Sequence, residues 1–149
     1  MQQAQDIMTT PVITVTLDTD LKKLAQLLTG KRISGVPVVD DDEILQGIVT
    51  ETDLLFTEKP LHIPTFITLL DAMVFFENPF KMDKDLKRLT ASTVADLYSQ
   101  ECLTVTPATS IAEIAELMIS EKVNLLPVIN PERKVVGIIS RTNMISLIV

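Results

Sequence analysis

An α+β fold made of one small module used twice is what this sequence predicts. Three observations carry the prediction. A nine-residue segment, Gly47-Ile48-Val49-Thr50-Glu51-Thr52-Asp53-Leu54-Leu55, returns in altered form as Gly137-Ile138-Ile139-Ser140-Arg141-Thr142-Asn143-Met144-Ile145. The offset of 90 positions between them also relates Pro37-Val38 to Pro127-Val128, Leu27 to Leu117, Ala25 to Ala115, Thr19 to Thr109, Thr14-Val15-Thr16 to Thr104-Val105-Thr106 and Asp6 to Asp96, without a gap from Asp6 to Leu55. Within each copy, apolar runs and helically spaced apolar positions follow the order strand, helix, strand, strand, helix. A repeat of this kind sets the architecture before any local detail. Each copy has about 50 residues, too few to bury a good core alone. The two copies therefore pack on each other, and 149 residues suit one compact domain.

In the first copy, residues 1–56, Ala4–Met8 form a short helical lead-in. Thr10-Pro11 stops it, because a residue before proline avoids helical angles. Val12-Ile13-Thr14-Val15 is β-branched and reads as a strand. Asp18, Thr19 and Asp20 offer capping oxygens to a helix that carries Leu21, Leu24, Ala25, Leu27 and Leu28. Gly30 is expected to end it. Gly35–Val39 and Leu45–Val49 are strands, joined by the acidic turn Asp40-Asp41-Asp42-Glu43. That turn reads as solvated acids in preference to a divalent-cation site. Thr50 then caps a helix through Leu55.

The second copy, residues 93–149, repeats the pattern. Ser92 or Thr93 caps Val94–Ser99, Leu103–Thr106 is a strand, and Ser110 caps a helix with Ile111, Ile114, Ala115, Leu117 and Met118. Leu126–Ile129 and Val135–Ile139 are strands around the turn Asn130-Pro131-Glu132-Arg133, and Ser140 caps the last helix. Residues 57–92 have no counterpart. They predict a helical insert, with an apolar helix over Thr65–Phe76, a break at Asn78-Pro79 and a charged helix over Asp83–Leu89. The insert could complete the core, present a dimer surface or touch a membrane surface, although the basic face expected for the last is missing.

Composition excludes several function classes. A net charge of −7 argues against non-specific nucleic-acid binding, which needs clustered Lys and Arg. One cysteine, Cys102, allows no internal disulfide or multi-thiolate metal site, and its apolar surroundings suggest a packed small residue. One histidine, His62, rules out two-histidine metal motifs and a Ser-His-Asp triad in both modules. No nucleophile elbow, Walker loop or metal cluster points to an enzyme, so no catalytic residue, metal or required cofactor is expected. There is no stretch of 18 apolar residues and no signal-peptide pattern at the N-terminus, so a cytoplasmic protein without a membrane span is expected.

The repeated segment allows one kind of chemistry. Thr50 stands where a strand ends and a helix begins, a position whose N–H groups favour phosphate or carboxylate. Asp53, one turn on and on the same face, can accept two hydrogen bonds from a ribose diol. The same residues also suit a plain helix cap. Two copies in register favour the ligand reading.

Ile33-Ser34-Gly35-Val36-Pro37-Val38-Val39 followed by Gly47–Asp53 resembles a CBS repeat (cystathionine β-synthase type). Val123-Asn124-Leu125-Leu126-Pro127-Val128-Ile129 followed by Gly137–Asn143 resembles its partner. The resemblance covers nearly everything but the insert. It implies two β-α-β-β-α repeats packed about a pseudo-twofold axis, with two clefts that take AMP, ADP, ATP or S-adenosylmethionine, and a homodimer. One cleft would join Thr50 and Asp53 to Cys102, Leu103, Thr104, Asn124, Leu125 and Pro127. The other would join Ser140, Arg141 and Asn143 to Val12, Ile13, Thr14, Ser34, Gly35, Val36 and Pro37. Glu51 beside the first would repel phosphates. In the second, Asn143 replaces the family's preferred Asp, while Arg141 offers a charge-assisted phosphate contact. The expectation is therefore a non-catalytic regulatory module that binds an adenosine-containing ligand, with phosphate handled beside Arg141, and that signals to an effector protein. The alternative is a structural dimerisation or interaction module without a small ligand.

Overall fold

The computed structural model describes residues 2–55 and 92–148. The element order is α1 (Ala4–Ile7), α2 (Leu21–Lys31), β1 (Gly35–Val39), β2 (Leu45–Thr50), α3 (Glu51–Leu55), a 3-10 turn (Val94–Asp96), α4 (Ile111–Ser120), β3 (Leu125–Ile129), β4 (Val135–Ser140) and α5 (Arg141–Ile145). β1 and β2 form one two-stranded sheet, and β3 and β4 form another. The expected mixed α+β class is what the chain adopts. The expected insert, residues 57–92, lies outside the described residues apart from Ser92.

The helices begin where side-chain oxygens satisfy otherwise orphaned N–H groups. Lys23 N–H donates to Asp20 Oδ1 at 2.6 Å, and Glu113 N–H donates to Ser110 Oγ at 3.2 Å. In α2 the buried residues are Leu21, Leu24, Ala25 and Leu28, a one-sided helical stripe. Gly30 does not end this helix. It continues to Lys31, and Arg32 takes the left-handed conformation at φ 54° while its N–H reaches the carbonyls of Leu28 and Thr29. Lys122, its counterpart 90 positions on, has the same φ of 54°. Glu43 and Arg133 form a second such pair, at 66° and 65°. The copies thus share backbone conformation even where the conformation is unfavourable for their side chains.

Both hairpin turns are held from their first residue. Asp42 and Ile44 N–H groups donate to Asp40 Oδ1, and Glu132 and Lys134 N–H groups donate to Asn130 Oδ1. The acidic run is therefore a working turn, and no metal-holding group of His, Cys, Asp or Glu occurs among the described residues.

β3 and β4 are antiparallel, from Leu125 opposite Ser140 to Ile129 opposite Val135, with a bulge between Val128 and Ile129. The strand expected over Leu103–Thr106 shrinks to one parallel bridge, Val105 with Val128. Val105 N–H donates to the Pro127 carbonyl and Ile129 N–H to the Val105 carbonyl. The next bonds outward would need N–H groups on Pro127 and Pro107, and proline has none. The N and O of a strand residue face the same side, so Pro127 takes no bond from the β3–β4 ladder. Val12–Val15 is likewise reduced to an isolated bridge at Val15. Val94–Ser99 keeps only the 3-10 turn behind its Thr93 cap.

The chain divides into two compact units that are not the two sequence repeats. One holds Met1–Thr14, Pro37–Gly47 and Gln100–Val149, and the other holds Val15–Val36 and Ile48–Ser99. Each repeat's lead-in belongs with the other repeat. Ala4 N–H donates to Thr109 O, Gln5 N–H to Pro107 O, and Thr9 pairs with Ile138. In the other unit, Val94 N–H donates to Thr19 O, Ala95 N–H to Leu17 O, and Ser99 pairs with Ile48. Every one of these bonds maps onto its counterpart by the offset of 90. In the first unit, Ala4 joins Val105, Ile114, Leu126, Val128 and Ile139 in a buried cluster, with Ile7, Met8, Ile111, Leu117 and Met144 packed around it. This unit also contains a bridge between counterparts, Ile44 with Lys134, flanked by Leu45 N–H to Arg133 O and Val135 N–H to Glu43 O.

Candidate functional site

The duplicated segment folds into two matching boxes, each at the step from a strand into a short helix. In the first, Thr50 N–H donates to Asp53 Oδ2 at 2.9 Å, Thr50 Oγ1–H donates to the same oxygen at 3.2 Å, and Asp53 N–H returns a bond to Thr50 Oγ1 at 3.4 Å. In the second, Ser140 N–H and Oγ–H donate to Asn143 Oδ1 at 2.8 and 2.9 Å, and Asn143 N–H donates to Ser140 Oγ at 3.4 Å. These are reciprocal helix caps. A backbone bond fixes each box against its preceding strand. Glu51 N–H donates to Ser34 O at 2.8 Å, and Arg141 N–H donates to Asn124 O at 3.0 Å.

The boxes differ in what remains for other partners. Asp53 is a carboxylate and has no hydrogen to donate. Asn143 has two, and spends both on the lead-in: Nδ2 donates to Ile7 O at 3.0 Å and to Thr9 Oγ1 at 3.2 Å. Beside it, the exposed Arg141 guanidinium donates through Nη2 to Asn124 Oδ1. Asn124 is neutral, so this bond aims the guanidinium without cancelling its charge. Thr50, Asp53, Ser140 and Asn143 are all half-buried.

The compact units distribute the expected ligand residues unevenly. Of the first set, Thr50 and Asp53 lie in one unit, and Cys102, Leu103, Thr104, Asn124, Leu125 and Pro127 lie in the other. Of the second set, Ser140, Arg141, Asn143, Val12, Ile13, Thr14 and Pro37 share a unit, while Ser34, Gly35 and Val36 fall outside it. Arg141 and Asn124, which the sequence reading assigned to different sets, are bonded. Ile7 and Thr9 were missed as partners of Asn143. Only the repeat offset, which already reached back to Asp6, hinted that the lead-ins belong to the module. Cys102 is half-buried, its Sγ 3.6 Å from Leu103 O, and burial pushes its thiol up to about 11.

The CBS domain model matches this chain twice, over residues 4–60 and 94–149. The chain belongs to the CBS domain family. Its relatives include the uncharacterized protein MJ1426 of Methanocaldococcus jannaschii, 28% identical over 152 residues that cover 97% of this chain and 90% of that protein. CBSX2, a chloroplastic CBS domain-containing protein of Arabidopsis thaliana, is 30% identical over 131 residues, covering 85% of this chain and 54% of CBSX2. This CBS pair thus matches about half the length of that relative. The crystal structure of CBSX2 in complex with AMP superimposes with a TM-score of 0.72 at 24% identity, covering 99% of this chain and 96% of that one. The CBS pair of MJ0100 in complex with 5'-methylthioadenosine and S-adenosyl-L-methionine gives 0.71 at 20% identity, covering 99% and 96%. Both likenesses show the shared fold. No helix among the described residues is long and apolar enough to cross a membrane.

Proposed function

We propose that this CBS pair is a non-catalytic cytoplasmic regulatory module that binds an adenosine-containing ligand (AMP, ADP, ATP or S-adenosylmethionine) and relays its presence to an effector protein, working as a homodimer. The observation that carries this reading is the duplicated box, with matched bonds but different chemistry in its two copies. Asp53 supplies a carboxylate suited to a ribose diol. Arg141 supplies an exposed guanidinium, held in place by a neutral amide, suited to phosphate. Val12, Ile13, Thr14, Ser34, Gly35, Val36 and Pro37, and in the other copy Cys102, Leu103, Thr104, Asn124, Leu125 and Pro127, support the base and sugar. The complexes of CBSX2 with AMP and of MJ0100 with S-adenosyl-L-methionine support the ligand class. Regulation requires the ligand to bind two arrangements of the module with different affinity.

One observation favours the alternative of an interaction module without a ligand. Ile119 and Ile148 are 78% and 85% exposed, in and near the helices of the second repeat. A thermal-shift series with the four ligands separates the two readings. Ligand at 100 times its dissociation constant stabilises the native state by about 2.7 kcal/mol. Asp53→Ala should abolish the shift with each of the four ligands. No shift with any ligand at millimolar concentration would overturn the ligand reading in favour of the interaction module.

A further inference from the structure

The side-chain amide of Asn143 has two donors and two acceptor lone pairs, and the protein uses all four. Oδ1 accepts from Ser140 N–H and Oγ–H. Nδ2 donates to Ile7 O and Thr9 Oγ1, which lie 136 and 134 positions away in sequence. Any hydrogen bond from Asn143 to a ligand would break one of these. The bonded segment also pairs with the strand that leads into the box, as Ser99 pairs with Ile48 ahead of the Thr50–Asp53 box. Thr9 N–H donates to Ile138 O at 2.8 Å, Ile138 N–H donates back to Thr9 O at 3.3 Å, and Met8 packs over Gly137. The same lead-in reaches Thr109 and Pro107 through Ala4 and Gln5.

We infer that Asn143 is a latch and not a ligand residue: it ties the lead-in Gln2–Thr9 to the Ser140–Asn143 box and closes that box to a ribose diol, so the chain binds one adenosine ligand through Asp53 and not two. The one-ligand clause rests on the function proposed above, whereas the latch stands on the four bonds alone. Asp53 cannot repeat the bond that Asn143 makes to a main-chain oxygen, because a carboxylate donates nothing to a carbonyl. The replacement of Asp by Asn between the copies therefore divides their labour. One box can read a sugar, and the other holds the chain's first segment in place.

The test uses the full chain with Asn143→Asp, which keeps both acceptor roles of the box and removes both donors. Amide hydrogen exchange over residues 2–9 is compared with exchange over α4. Each lost hydrogen bond shifts a local opening by about 2- to 10-fold, so the lead-in should exchange faster in the variant while α4 changes little. Titration of the parent with AMP should give one site per chain, and Asn143→Asp should leave its affinity within about threefold. If Asn143→Asp does not fold, Thr9→Val removes one acceptor only, and a smaller rise in the same peptide is expected. Unchanged exchange over residues 2–9 in both variants would overturn the latch. Two equivalent AMP sites in the parent, or a large affinity loss with unchanged exchange, would overturn the closed box. If the parent binds no adenosine ligand, the proposed function and the one-ligand clause both fail, and the exchange result still decides the latch.

Discussion

At Gly137 the lead-in lies close against the strand that leads into its box. A Cβ built there would lie 2.3 Å from Met8 Sδ, 2.8 Å from Met8 Cγ and 3.0 Å from Met8 Cβ. Ordinary contacts begin near 3.5 Å, so Met8 must move by more than an ångström. A new rotamer can carry Sδ and Cγ away. It cannot move Cβ, which stays too close unless the backbone of residue 8 shifts as well. That backbone is tied to Ala4 O through the Met8 N–H and to Ile138 through its neighbour Thr9. Overpacking of this kind costs about 1–3 kcal/mol. Against it stands a gain of roughly 0.4–1 kcal/mol, because alanine reduces the freedom of the unfolded chain and Gly137 does not have a positive φ. Gly137→Ala should therefore lose about 1–2 kcal/mol, or roughly 3–6 °C in melting temperature at this size. Urea unfolding followed by circular dichroism measures it. Met8→Ala in the same chain should recover part of the loss, giving a coupling that two independent sites would not show. A Gly137→Ala protein as stable as its parent, or strictly additive losses in the double variant, would refute the argument.

Gly30 is the matching control. It lies in α2 without a positive φ, and a Cβ there meets nothing within 4 Å, so Gly30→Ala should stabilise the chain by about 0.5–1 kcal/mol in the same urea assay. Cys102 gives a pH prediction. Burial raises its folded pKa to about 11 from 9.0, so the folded form holds the thiol proton more tightly than the unfolded form does. That contribution to stability is full below pH 9 and is lost as pH rises towards 11. The stability advantage of the parent over Cys102→Ala should shrink across that window, and parallel pH curves for the two proteins would show the reasoning to be wrong.

Much of this fold could be read from local chemistry. Asp20 and Ser110 were legible as caps because a side-chain oxygen followed by helically spaced leucines or isoleucines has few other readings. The hairpins were legible because Asp40 and Asn130 are residues that bond their own turns. What failed was non-local. The strands at Val12–Val15 and Leu103–Thr106 looked sound by composition, but at Val105 the partner strand and the next residue pair offer prolines where N–H groups were needed. Gly30 looked like a stop, yet Arg32 took the left-handed position two residues later. In the candidate site, Thr50, Asp53, Ser140 and Asn143 stood out because they repeat. The two extra bonds of Asn143 did not, since nothing in a sequence says that residue 143 faces residues 7 and 9. The repeat itself concealed this: a symmetric pattern reads the same whether each lead-in serves its own copy or the other.

That crossed arrangement has a consequence for the origin and the dissection of the module. A lone copy of about 50 residues would leave its own box bare and carry a lead-in with nowhere to dock. Two such copies could complete each other only as a domain-swapped pair. The present chain has the form of that pair after fusion, with the swap made permanent by a covalent connection. Cutting the chain within residues 57–91 would therefore not release two self-sufficient halves. Each fragment would retain a segment shaped to fit the other, and the pieces would be expected to find one another again.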